Sequence, residues 1–175
     1  MQTIGRIDTT QTALRIGFGD SVAGRFVVAV AGKKIVAIAL GDDRASLERD
    51  LRRRFRGAVL TEDRAMTDLV ERVAAFIADP AHAAELPLEP SGTDFQRRVW
   101  QALRRVPPGA TASYADIAEK VGAPAAVRAV AQACAANPIA VAIPCHRVRR
   151  KDGALGGYRW GVERKAMLLR AEGAL

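Results

Sequence analysis

The chain has 175 residues, 49% of them apolar and 26% charged, and a net charge of +8. That length suits one domain or two small ones with a real core, and that composition excludes a disordered chain. No apolar run is long enough to span a bilayer, and the opening MQTIGRIDTTQ lacks the basic segment and apolar stretch of a signal peptide, so a cytoplasmic protein with no membrane partner is expected.

Three β-branched or apolar runs open the chain, at residues 13–18, 24–30 and 34–40, with Ala31-Gly32-Lys33 as a hairpin turn between the last two. Two helices follow. One, over about residues 45–55, sets Leu47, Leu51 and Phe55 four apart; the other, over about residues 65–78, carries Leu69, Val73, Phe76 and Ile77. Arg52-Arg53-Arg54 reads as a solvated helix face rather than a binding site. Pro80, Pro87, Pro90 and Ser91-Gly92 mark a linker. Residues 1–90 are thus expected to form a structural sheet-plus-helix domain, and residues 91–175 a second domain.

The second domain opens on Thr93 as a helix N-cap, with Phe95, Val99, Leu103 and Val106 on one apolar face and Pro107-Pro108-Gly109 as the stop. Ser113, with Asp116 three residues on, has the form of a capping box for a short helix through Ile117, Ala118 and Val121. Gly122 suits a left-handed C′ position, and Pro124 the first turn of a next helix that continues over residues 125–136 and ends at Asn137-Pro138. The expected fold class is α/β, of the α+β kind: a small N-terminal sheet with helices, then a mostly helical unit containing a helix-turn-helix. The charge excess falls in that second unit. Residues 1–92 hold 13 Lys+Arg against 13 Asp+Glu, and residues 93–175 hold 14 against 6. A basic half beside a neutral one points to a polyanion, nucleic acid first.

The two helices joined at Val121-Gly122-Ala123 have the helix-turn-helix pattern. In the second, Ala125, Ala126, Ala129, Ala131, Ala133, Ala135 and Ala136 leave little beyond Arg128 and Gln132 to touch bases. A major-groove reader needs several Arg, Asn or Gln side chains; a bare helix suits close approach to the narrow minor groove without reading sequence. Alanines also let a helix pack inside its own domain, and the two uses can occupy different faces.

Ala140-Val141-Ala142-Ile143 reads as a short buried strand ended by Pro144, and Cys145-His146-Arg147 follow directly. A free thiol ionises near ~8.5, and the thiolate is the nucleophile. An adjacent imidazole can take the proton, directly or through one water, and a carboxylate can orient that imidazole. Glu172, at the end of a helix over about residues 161–171, is the candidate. A lone Cys is more often a small buried apolar residue; Cys134, without such neighbours, is read as structural or pocket-lining. Cys134, Cys145, His82 and His146 lack zinc-ligand spacing, so no metal is expected.

Ile143-Pro144-Cys145-His146-Arg147-Val148 resembles the active-site signature of the O6-alkylguanine-DNA alkyltransferases, bacterial type. Phe95-Gln96-Arg97-Arg98-Val99-Trp100, Ser113-Tyr114, Ala126-Val127-Arg128-Ala129-Val130, Ala136-Asn137-Pro138, Gly156-Gly157-Tyr158 and Lys165-Ala166-Met167-Leu168-Leu169 fall in family order, so the resemblance covers residues 90–172. It implies direct reversal of damage by a methylated-DNA–[protein]-cysteine S-methyltransferase. The alkyl group of O6-alkylguanine in duplex DNA, with O4-alkylthymine as a further candidate, passes irreversibly to Cys145 after the nucleotide is flipped out. It also implies residue roles. His146 and Glu172 activate Cys145 through water; Asn137 holds the turn before it. Arg128 fills the space left by the flipped nucleotide, with Ala126, Ala129 and Gln132 beside it in the minor groove. Tyr114 crowds the backbone and offers its hydroxyl to the departing guanine. Val148, Gly156, Gly157, Tyr158 and Arg159 form the base pocket, with Cys134 at its mouth.

Some members hold zinc through N-terminal Cys and His residues; the N-terminal half here has no Cys, so neither zinc nor another cofactor is expected. Some carry Ser where Arg159 stands. Nothing in the chain matches a metal-bearing phosphotriester domain or a separate transcription-factor domain, so a regulatory role is not expected. The expected partner is double-stranded DNA, bound by a monomer, with cooperative binding left open. The main rival is a non-reactive module that recognises alkylguanine and recruits other factors, which retention of Cys145 argues against. A sequence-reading regulator is disfavoured by the bare helix, and a cysteine hydrolase by the adjacency of Cys and His.

Overall fold

The computed structural model describes residues 12–175; the opening segment read for a signal peptide lies outside the described residues. Strands β1 (Ala13–Ser21), β2 (Gly24–Ala31) and β3 (Lys34–Gly41) form an antiparallel meander, in register at Phe18↔Val27 and Val28↔Ile38. The three strands and the turn at Gly32 fall where the apolar runs place them. Phe26–Val30 and Ile35–Leu40 are buried without a break, because both faces of these strands are covered. Helix α1 (Arg44–Arg54) starts at Asp43, whose carboxylate accepts the Ser46 N–H at 2.7 Å, and it buries Leu47 and Leu51. Strand β4 (Val59–Glu62) joins parallel to β1, giving the order β3-β2-β1-β4. Three of its four residues are exposed and they carry no apolar alternation, so the sequence shows no strand there. Helix α2 (Thr67–Ala78) buries Val73 and Ile77.

What matters for function is the free edge of β3. Ile35 donates its N–H to Pro87 O and accepts from Glu89 N–H, both at 2.8 Å. Further along, Ile38 donates to Pro138 O at 3.0 Å and accepts from Ala140 N–H at 2.9 Å. The linker and the segment leading to Cys145 therefore cover the edge, and the sheet fastens the loop that carries the cysteine. Buried residues from both halves belong to one continuous core.

Helix α3 (Asp94–Arg104) begins in a full capping box between Thr93 and Gln96, and Trp100 Nε1 donates to Ala133 O at 2.9 Å, tying α3 to α5. The two-residue strands β5 (Ala112–Ser113) and β6 (Val148–Arg149) pair in parallel. Helix α4 (Tyr114–Lys120) starts in the Ser113–Asp116 capping box. It ends in a Schellman motif: Gly122 N–H bonds Glu119 O and Ala123 N–H bonds Ala118 O, both at 2.9 Å, with Gly122 at φ 74. Helices α5 (Val127–Ala135) and α6 (Val162–Ala171) complete the fold. No helix among the described residues is long and apolar enough to cross a membrane.

Two expectations are corrected. Helix α5 starts at Val127 rather than 125: residues 124–126 form a turn closed by Ala126 N–H to Ala123 O at 2.8 Å, and Ala126 is the N-cap. Residues 140–143 are buried, but they are successive turns and not a strand. Ala142 N–H reaches back to Ala140 O at 2.7 Å, Ile143 N–H to Ile139 O at 3.1 Å, and Val141 sits at φ 66. A four-residue apolar run reads alike in either form.

At Gly122 the left-handed backbone is required while an added Cβ would meet nothing within 4 Å. Gly122→Ala should therefore cost backbone strain alone, about 1–2 kcal/mol, each kcal/mol lowering Tm by roughly 2–4 °C. A thermal melt equal to the parent protein's would contradict this account of the turn.

Candidate active site

Cys145 opens a single 3-10 turn (Cys145–Arg147) between the buried turns and β6, and is 4% exposed. Asn137, wholly buried just beyond α5, braces both ends of the loop before it. Its Oδ1 accepts the Ile139 N–H at 2.9 Å, while Nδ2 donates to Ile143 O at 2.8 Å and to Cys145 Sγ at 3.2 Å. Burial pushes the Cys145 thiol up; the Asn137 amide and the Lys165 charge pull the other way but do not outweigh it. The resting group is therefore a thiol, and its proton must be taken as it reacts.

The neighbour fitted to take it is His146. The ring is fully buried, with Nε2 2.9 Å from Glu172 Oε1 and Nδ1 without a hydrogen-bond partner among the described residues. Burial lowers its pKa, Glu172 raises it, and Arg147 and Lys165 lower it again; the net shift is downward. The imidazole is thus neutral at pH 7, with its proton on Nε2 facing the carboxylate and a lone pair on Nδ1.

Glu172 is held where it must be by the end of α6. It occupies the C-cap, Gly173 follows at φ 73, and the bonds Gly173 N–H to Arg170 O and Ala174 N–H to Leu169 O close a second Schellman motif. Burial works to raise its carboxyl, but hydrogen bonds from His146 and Arg147 win and bring the pKa down to about 2. Arg147 grips it with both arms of its fork, Nε to Oε2 at 2.9 Å and Nη2 to Oε1 at 2.8 Å, and spends Nη1 on Val106 O at 2.6 Å.

Around the thiol lie most of the expected pocket residues. Cys134 is buried on α5 and Val148 at the start of β6. Tyr158 is half-buried, edge-on to Trp160 (5.3 Å between centroids) and to His146 (6.5 Å). Gly156, at φ 70, closes on Tyr114: a Cβ there would lie 3.4 Å from the Tyr114 hydroxyl. Tyr114, half-buried at the start of α4, has its pKa raised by burial and by the two cysteines, so the phenol keeps its proton. Gly157 presents its carbonyl to Lys165. Arg159 stands apart: its guanidinium bonds Asp50 of α1 at 3.3 and 3.5 Å.

Helix α5 divides its alanines between two faces. Val130, Ala133 and Cys134 face the core; Arg128 and Gln132 are exposed, with Ala126 and Ala129 half-exposed. Arg128 makes no hydrogen bond or ion pair with any described residue.

Two residues given no role from sequence prove central. Arg147 is one. Lys165 is the other: fully buried, it donates to Val148 O (2.6 Å), Leu155 O (2.5 Å) and Gly157 O (3.2 Å), tying β6 to the 155–157 loop. The signal was present, because Lys165 occupies the same helical face as buried Leu168 and Leu169, at i, i+3 and i+4.

Fold and site together define a class: a buried cysteine, backed by a His–Glu pair, set directly behind a helix-turn-helix. Residues 94–174 match the family described as 6-O-methylguanine DNA methyltransferase, DNA binding domain. The chain is 46% identical over 125 residues to the inducible methylated-DNA–protein-cysteine methyltransferase of Bacillus subtilis, covering 69% of this chain and 68% of that protein. It is 50% identical over 165 residues to the bifunctional transcriptional activator/DNA repair enzyme Ada of Escherichia coli, covering 91% of this chain. The chain spans just under half the length of that protein and of the Ada protein of Salmonella typhimurium, 46% of each. The crystal structure of Mycobacterium tuberculosis OGT in complex with DNA superposes with a TM-score of 0.75 at 34% identity, covering 93% of each chain. The chain belongs to the O6-methylguanine-DNA methyltransferase family.

Proposed function

We propose that this chain repairs duplex DNA by moving the alkyl group of O6-alkylguanine onto Cys145, once per molecule. The observation that carries the reading is the Cys145 surround: a sulfur bonded by Asn137, beside a neutral imidazole oriented by a carboxylate. Exposed α5 enters the minor groove, its short side chains permitting close approach. Arg128, without a partner among the described residues, occupies the gap when the nucleotide swings out into the pocket behind Tyr158 and Gly156. Nδ1 of His146 takes the thiol proton through one water. The sulfur attacks the alkyl carbon in line, the S–C bond forms, and the C–O6 bond breaks. The electron pair leaves with guanine, which Tyr114, still protonated, stabilises by donating to the ring. The product is a thioether that no group in the site can cleave, so the acceptor is consumed. Residues 91–175 carry this chemistry, and residues 1–90 support it through the edge of β3. The protein works as a cytoplasmic monomer. The DNA in the M. tuberculosis structure and the names of the curated relatives support the substrate class.

A duplex carrying one O6-methylguanine inside a restriction site that the lesion blocks tests the proposal. One equivalent of protein should restore cleavage. Tight binding with cleavage still blocked would favour the recognition-module reading. Arg128→Ala should slow transfer from the duplex on the order of 10–10³-fold, the rate equivalent of a few kcal/mol of lost support for the unstacked state. Transfer from the free base O6-methylguanine should not change. Equal slowing with the free base would mean that Arg128 acts on the chemistry and not on flipping.

A further inference from the structure

The N-terminal half is neutral in total but not in distribution. Five arginines, Arg49, Arg52, Arg53, Arg54 and Arg56, fall within eight residues at the end of α1, with Asp50 as the acid among them. Cations in the last turn of a helix complement its dipole, which accounts for part of the run. It does not account for what the fold adds.

Arg54 is not the solvated side chain expected from sequence: it is half-buried, and Nη2 donates to Ala136 O at 3.1 Å, the C-cap of α5. Arg159, from the loop beside Tyr158, is brought to the same place. Arg53, Arg54 and Arg159 then line one open groove with Asp50, Phe55 and Ser91. One carboxylate serves this group weakly: Asp50 lies 3.3 Å from Arg159 and 3.8 Å from Arg53. Burial, and then the neighbouring Arg159, lowers the Arg54 pKa to about 10. A second recess beside it is walled by Arg49, Arg52, Arg53 and Arg56. The side chains of Arg52 and Arg53 are 61% and 77% exposed, and Arg56 has no ion-pair partner among the described residues.

Arg159 brings the pocket loop to this groove, and Arg54 in its wall bonds the carbonyl of Ala136 at the end of α5. In the repair reading above these two elements flank the flipped nucleotide, so the groove adjoins the proposed DNA-binding face.

We propose that the arginine surface of α1, with the Arg54–Arg159 groove, is a second phosphodiester-binding site that holds the DNA backbone flanking the flipped nucleotide. Guanidinium forks match phosphate oxygens in pairs, and an excess of arginines over two acids, Asp50 and Glu48 (3.9 Å from Arg52), leaves that capacity unspent. The proposal rests on the DNA-repair reading above.

The test is the triple variant Arg52→Gln, Arg53→Gln, Arg56→Gln, whose sites are exposed and outside the cysteine site. Affinity for an undamaged duplex is measured against salt, beside transfer from free O6-methylguanine. The variant should bind about 10-fold more weakly at low salt, and its slope of log K against log salt should flatten by roughly 0.9 for each phosphate that it no longer neutralises. Free-base transfer should match the parent. Unchanged slope and affinity would overturn the proposal while leaving the repair reading intact. Failure of the parent protein to take up alkyl groups from DNA would instead remove the repair reading. A calorimetric titration with inorganic phosphate separates the sources: saturable binding lost in the variant, with no change in salt slope, would mark a free-anion site and overturn the DNA assignment.

Discussion

Cys145→Ala should abolish alkyl uptake completely while leaving a folded protein that still binds the damaged duplex. The loss is total because no other group can replace the acceptor. Cys134 is also buried, but its thiol is pushed far up by burial and by Cys145, and it makes no hydrogen bond like that from Asn137. The fold survives because the substitution frees only one Asn137 N–H, the one given to Sγ; Nδ2 keeps Ile143 O, and Oδ1 keeps the Ile139 N–H. The expected stability cost is about 1 kcal/mol, that of a small group removed from a core. Uptake by the variant, read as protein-bound label after mixing with a radiolabelled methylated duplex, would place the acceptor elsewhere.

The second large effect is on Glu172→Gln, and it strikes stability and rate together. The neutral amide cannot accept the two-armed grip of Arg147 and the His146 bond as a carboxylate does. A buried guanidinium, 5% exposed, is left without its countercharge. Breaking one side of such a pair costs about 3–5 kcal/mol. The pH dependence carries the sign. With a pKa of about 2 in the fold against 4.5 for an ordinary glutamate, the Glu172 contribution is complete above pH 4.5 and is lost as pH falls toward 2. It amounts to about 3 kcal/mol. Chemical denaturation across that window should show the loss in the parent and a smaller one in the variant. On the rate side, Glu172 raises the basicity of His146. Its removal should slow transfer about 10²–10⁴-fold, the range for a general base, and move the acid limb of the pH–rate profile to lower pH. An acid limb that stays in place would separate Glu172 from the base and leave it a purely structural partner of Arg147.

Much of this was legible in sequence where one local rule decides. The capping boxes at Thr93 and Ser113, the left-handed Gly122 and the first three strands each follow from residues within a few positions. Residues 140–143 and β4 did not, because a short apolar or mixed run takes its form from what it packs against. The site divides the same way. Cys145, His146 and Asn137 stand close in the chain, and Glu172 was reachable as the acid at a helix end. The grip of Arg147 on Glu172, the three bonds of Lys165 and the meeting of Arg54 with Arg159 join residues far apart. No spacing reveals those. The role of the N-terminal sheet was hidden for the same reason, since it acts through backbone bonds from β3 to Pro138 and Ala140.

The central claim, that Cys145 is a one-time acceptor, is tested most directly by intact-protein mass spectrometry after incubation with excess duplex carrying O6-methylguanine. The predicted result is an increase of one methyl group, located by digestion on the peptide containing Cys145, with uptake halting at one equivalent. Continued conversion of lesions beyond one per protein, or a methyl group found on Cys134 instead, would contradict it.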